Sequence, residues 1–193
     1  MLFSYLKIRV LTKSPIIMKN LIGIICLFYL LTGGLSAQTG KMTTDPSEHK
    51  ILVDYTKTLE QMILDGKYVW KHDSITEKNF PLLAKMIGQK VEVVIKPFFF
   101  GNDISGEEAI KYLSKDGYRP ATLAELLAWG ATNSETKIIF PTIALGFIWQ
   151  DWEHHRYVPY IFTYEDKHTL RLGRVDKWSS LPDWCCLAVL KKN

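Results

Sequence analysis

Seven consecutive residues, Gln150-Asp151-Trp152-Glu153-His154-His155-Arg156, gather two carboxylates and two imidazoles on one short stretch. These groups ligate divalent metals and exchange protons near neutral pH, so an acid/base or metal-dependent hydrolase is the chemistry they would serve. The spacing argues against it. Neighbours along a loop seldom converge on one ion, and the His-x-x-x-His spacing that sets two ligands on one helix face is missing. A solvated loop accounts for the same residues, because charged side chains stay in water unless they are paired. His49, His72 and His168 stand alone, and Ser74, Ser105, Ser134, Ser179 and Ser180 lack the Gly-x-Ser-x-Gly elbow of a hydrolase nucleophile. Cys185 and Cys186 lie in an apolar run, where burial raises a thiol's pKa and makes it inert, although a dyad with a distant His stays open. One of the two is expected to be buried and the other to face outward, since adjacent cysteines pair only through a strained ring. No catalytic residue, metal or cofactor is assigned.

Aromatic side chains carry more information. Beyond residue 139 come Phe140, Phe147, Trp149, Trp152, Tyr157, Tyr160, Phe162, Tyr164, Trp178 and Trp184. One core face of a small sheet does not need them all, so some rings belong on loops, and exposed Trp and Tyr are common anchors of recognition surfaces. Phe147, Phe162 and Trp184 read as core. Trp152, Tyr157 and Trp178 stand beside polar loop residues and are the candidate ligand contacts. Arg119 is a fourth candidate, because its guanidinium offers a bidentate fork to an acidic ligand. The acids Glu108 and Glu125 nearby favour a structural clamp instead.

Local signals place these residues on elements. Ser105 and Thr122 each open a Ser/Thr-x-x-Glu capping box ahead of an apolar stripe. Two helices follow, over 106–115 and 123–131, joined by an extended link at 118–121 with Gly117 as the left-handed exit of the first. Upstream, the spacing predicts a helix from an Ser47 N-cap to about Leu64 and a brief one from Thr76 to Ile87. Residues 91–100 are β-rich, with Pro97 making their later half edge strand or turn. After Pro141 the period becomes that of strands: 143–149 as a central strand, 157–164 half-buried, 170–173, and 184–190 buried on both faces, with loops at 150–156, 165–168 and 176–183.

Near the start, Lys19 precedes an apolar run over 21–31 and small residues over 32–37, the pattern of a cleavable export signal ending at Ala37. The run is shorter than the ~20 residues a membrane-spanning helix needs, so the membrane is met only through the signal, and the product is expected in the periplasm or outside the cell. Met18 is an alternative start. That segment holds Lys7, Arg9, Lys13 and Lys19 and no acid; without it 20 of the 24 basic residues remain, balancing 20 acids. The basic character of the whole chain belongs to the signal, and no nucleic-acid partner is expected. The domains are then a signal with upstream extension over 1–37, a flexible leader over 38–46 and a single α+β domain over 47–193, its helical part and first strand over 47–100 and its core over 101–193.

The segment from Gly117 to Ala128 fits Gly-x-Arg-Pro-Ala-Thr-x-x-Glu-Leu-Leu-Ala, and Leu187-Ala188-Val189-Leu190-Lys191 fits Leu-Ala-Val-x-Lys. In these motifs the chain resembles, over about 64–191, an uncharacterised and often duplicated family of bacterial proteins, which brings no activity with it. More distantly, helices followed by a Trp-rich, loop-rich antiparallel sheet that ends in a buried strand resemble C-type-lectin-like domains. The lectin calcium motifs and disulfide cysteines are absent, so calcium-dependent sugar binding is not implied. The loop aromatics and this likeness together point to an exported non-enzymatic binding module of unknown ligand, with a glycan or a protein as the candidates. A hydrolase or metalloenzyme built on the 151–155 loop and a structural envelope protein are the alternatives.

Overall fold

The computed structural model describes residues 47–100, 104–175 and 184–191. Over these the chain is mixed α+β, with three α-helices and a nine-stranded sheet. The expected export signal, the leader and the 176–183 loop with Trp178 lie outside the described residues.

The strand β1 (His49–Asp54) takes the place of the helix expected from Ser47. Ile51, Val53 and Tyr55 are buried while Lys50 and Leu52 face solvent, a period of two that these residues satisfy as readily as the helical period. The partner decides: β1 runs antiparallel to β3 (Lys90–Phe100), from His49 opposite Ile95 to Asp54 opposite Lys90, and pairing of this kind overrides local spacing. Helix begins only at α1 (Leu59–Asp65). Thr58 accepts the Gln61 N–H and the Gln61 side chain accepts the Thr58 N–H, a capping box with Gln in the Glu position. The helix expected from Thr76 is also replaced. The Thr76 carbonyl accepts the N–H groups of Asn79 and Phe80, but Pro81 has no N–H to extend the turn and pushes Phe80 out of helical geometry. A short 3-10 turn at Ala84–Met86 is all that follows.

The middle of the chain matches its grammar. Both predicted capping boxes close, on α2 (Gly106–Lys115) and α3 (Leu123–Thr132). Gly117, at φ +82°, makes the left-handed exit that a side chain would resist. The extended link is β4 (Tyr118–Pro120). The predicted strand over 143–149 breaks into β5 (Thr142–Ile143) and β6 (Trp149–Gln150). Between them the chain leaves the sheet so that Gly146 can donate its N–H to the Ala121 carbonyl at 2.8 Å. A Cβ on Gly146 would lie 2.5 Å from that oxygen, so only glycine fits. The hairpin of β7 (Arg156–Tyr164) and β8 (Lys167–Arg174) turns on Glu165 and Asp166, both at positive φ.

The sheet order is β1-β3-β9-β5-β7-β8-β2, with β2 (Trp70–Lys71) at the far edge and β9 (Trp184–Leu190) inside. β4 also pairs with β9, and β6 with β7. Pro97 sits on the half of β3 that β1 does not reach, so the edge character expected there is present. Helices cover both faces. Leu187 and Val189 join α1 and α3 in one core, while Cys186, Ala188 and Trp184 join α2 in the other. Cys185 and Cys186 are therefore both buried and free, and the outward-facing cysteine expected from sequence has no outward face to occupy. Burial pushes Cys185 well above the usual thiol range and Cys186 up to about 12. Neither is a nucleophile at neutral pH.

Candidate functional site

The β6–β7 hairpin holds the sequence's richest stretch of polar and aromatic residues. Trp149 pairs with Tyr157 and Gln150 with Arg156, leaving residues 151–155 as the connecting loop. The loop is built around one carboxylate. Asp151 Oδ1 accepts the backbone N–H groups of Glu153 and His155, each at 2.9 Å, and the Asp151 N–H donates to the His155 carbonyl at 3.0 Å. This is the local side-chain-to-backbone bonding that suits Asp to turns. His154 takes the strained position, at φ +64°. Burial pushes the Asp151 pKa up, but the N–H groups of His155 and Glu153 and the adjacent imidazole outweigh it and hold the carboxyl below its ordinary range.

The base of the hairpin is aromatic. The Trp149 and Tyr157 rings lie 5.5 Å apart at 34°, His155 meets Tyr157 edge-on at 6.5 Å, and Trp149 reaches Phe80 at 6.3 Å on the core. Arg156 bridges to Glu107 of α2 at 3.6 Å. On this braced base Trp152 projects from the loop, 86 % exposed. A tryptophan so exposed contributes almost nothing to folding, since its apolar surface stays in water. Phe147, expected in the core, is exposed as well, although one edge packs on Phe80 at 5.7 Å.

No family model, curated protein or solved structure matches the chain.

The loop also brings potential metal ligands together. One donor atom each from Asp151, Glu153 and His155 lies within 4.8 Å of the others, and His155 Nδ1 is 3.4 Å from both Asp151 Oδ2 and Glu153 Oε2. Asp151 Oδ1 is committed to two backbone donors, which leaves Oδ2 as the oxygen this acid could offer an ion.

The remaining candidates fall elsewhere. Arg119 is bidentate to Glu125, at 2.6 and 2.9 Å, and Glu125 is fully buried, with Thr122 donating its N–H and hydroxyl to the same carboxylate. Its fork is engaged within the fold, as the clamp reading expects. Tyr157 lies at the hairpin's base rather than its tip. A cleft of about 450 Å³ beside the start of α1 is lined by Tyr55, Lys57, Glu77, Leu82 and Ile87, but Glu77 there accepts the Leu59 N–H at 3.0 Å and serves the helix end. Sequence reasoning missed Trp149 as part of the hairpin. Its mirror position to Tyr157 across the 150–156 loop was the available signal.

Proposed function

We propose that the chain is an exported, non-enzymatic recognition module that holds its ligand, a glycan or a protein surface, against the β6–β7 hairpin, with Trp152 as the anchor. The observation that carries this reading is the combination of an exposed indole with a rigid base. The loop pays its ordering cost in the free protein through the Asp151 bonds and the Trp149–Tyr157 contact, and preorganisation of that kind favours binding. The reading places the protein in the periplasm or outside the cell, beyond an export signal over 1–37. It also takes the distant likeness to C-type-lectin-like domains as a guide to architecture: α2 and α3 precede a sheet rich in loops that ends in β9, buried on both faces. The likeness to the duplicated bacterial family rests on the 117–128 motif, whose Arg119, Thr122 and Glu125 form one hydrogen-bonded unit.

Screening the purified protein and Trp152→Ala against glycan and peptide panels by tryptophan fluorescence tests the reading. A ligand bound without turnover, and weakened roughly thirtyfold in the variant as expected of a buried aromatic anchor, supports it. A ligand bound equally well by both proteins contradicts it. The proximity of Asp151, Glu153 and His155 favours the hydrolase or metalloenzyme as the second reading, and stoichiometric tightly held metal lost in His155→Ala would select that one.

A further inference from the structure

On the face of β7 and β8 turned away from α1 and α3, Val158 is buried and Tyr160 packs in part against the core under α2, while Phe162 and Arg171 belong to neither core. Register sets Tyr160 opposite Arg171, and Phe162 opposite Thr169, which is in turn opposite Trp70 of β2. Residues directly opposite share a face, so these five form one surface. The alternating residues Ile161 and Leu170 enter the core on the other side. Trp70 remains 48 % exposed.

Arg171 is held on this surface by two contacts. Its Nε donates to Thr169 Oγ1 at 2.9 Å, and its guanidinium lies over the Trp70 ring, 5.4 Å from the centroid. Thr169 is buried, and its hydroxyl donates to the Phe162 carbonyl at 2.9 Å. Trp70 is braced edge-on by His72, with ring centroids 6.0 Å apart at 86°. No acid among the described residues pairs with Arg171, and neither Nη donates within them. Among the described residues the guanidinium is thus held through its Nε and its face, and its forked edge meets no partner.

We propose that this surface binds a carboxylate carried on a sugar ring, as in an acidic glycan. The Nη edge takes the carboxylate through two parallel charge-assisted bonds, a geometry that guanidinium matches and ammonium does not. Trp70, Tyr160 and Phe162 supply ring faces for the sugar's apolar side. Charge selects against a nucleic-acid strand, because phosphodiester binding needs a run of cations along the backbone. Among the described residues of these two strands the other cations on this face are Lys167, opposite Tyr164, and Arg156, already paired with Glu107. The proposal does not rest on the Trp152 hairpin, whose Tyr157 belongs to the other face of β7.

The test is titration of the purified protein with an oligogalacturonide, with its methyl ester as the neutral counterpart and with a thymidine oligonucleotide, followed by tryptophan fluorescence. The acid is expected to bind at least about tenfold more tightly than the ester. Arg171→Gln should remove that preference without shifting the melt, Arg171→Lys should fail to restore it, Trp70→Ala should weaken acid and ester alike, and Trp152→Ala should change neither. Equal binding of acid and ester, wild-type affinity in Arg171→Gln, no binding of the acid at millimolar concentration, or tighter binding of the oligonucleotide would each overturn the proposal.

Discussion

Two arginines of this chain make opposite use of the same side chain. Arg119 in β4 turns its fork inward to Glu125, which is 0 % exposed, while its own side chain is 38 % exposed. Arg171 in β8 is held through its Nε and ring-facing plane, and meets no acid among the described residues. The first belongs to the fold, because a buried carboxylate without its partner is costly. The second makes one hydrogen bond and one ring contact, and no ion pair among the described residues. A charged residue's role is thus set by which of its edges the structure occupies, and the hairpin repeats the lesson with Asp151, spent on the loop, and Trp152, spent on nothing inside it.

The largest expected effect tests the inward arginine. Arg119→Ala should lower stability by about 2–4 kcal/mol, below the full cost of breaking a buried pair because the guanidinium is partly solvated. Thermal unfolding followed by circular dichroism measures it, and a melt within a degree of wild type would place Arg119 with Arg171 and dissolve the contrast. Next comes Thr122→Ala, which removes both the N-cap of α3 and a donor to Glu125, for about 1 kcal/mol in the same experiment. Arg171→Gln and Trp152→Ala should each stay within about 0.5 kcal/mol of wild type, as surface changes do. A clear loss of stability in either would show that the outward side chain is structural after all.

The smallest effect is one of pH. The Asp151 carboxyl is held below its ordinary range, so the order it lends the loop is complete above about pH 4 and is lost as pH falls through the lowered value. The amide signals of Glu153 and His155 in NMR spectra should collapse toward loop averages only in that acid range. Collapse near neutral pH would contradict the assignment of the brace to Asp151.

Much of the α2–β4–α3 unit was legible because its signals are local. Ser105, Thr122 and their glutamates each lie within one turn, and Gly117 and Pro120 punctuate the link between them. Strand β9 was legible because its unbroken apolar run admits no solvent face. The start was misread because Ile51 and Tyr55 satisfy helical spacing while Ile51, Val53 and Tyr55 also satisfy a strand's, and only β3 breaks the tie. Trp152 could be picked from its polar neighbours. The meeting of Trp70 with Arg171 had no such marker, since it depends on the parallel β2–β8 pair that brings distant segments together.

The central claim is that the hairpin tip is a contact surface. Indole N–H signals of the tryptophans in a ¹⁵N NMR spectrum report on it most directly, because Trp152 is exposed on the loop while Trp129 and Trp184 are sealed in the core. On addition of a ligand found by screening, the account predicts that the Trp152 signal moves furthest and that those of Trp129 and Trp184 stay in place. A bound ligand that leaves the Trp152 signal unmoved would contradict it.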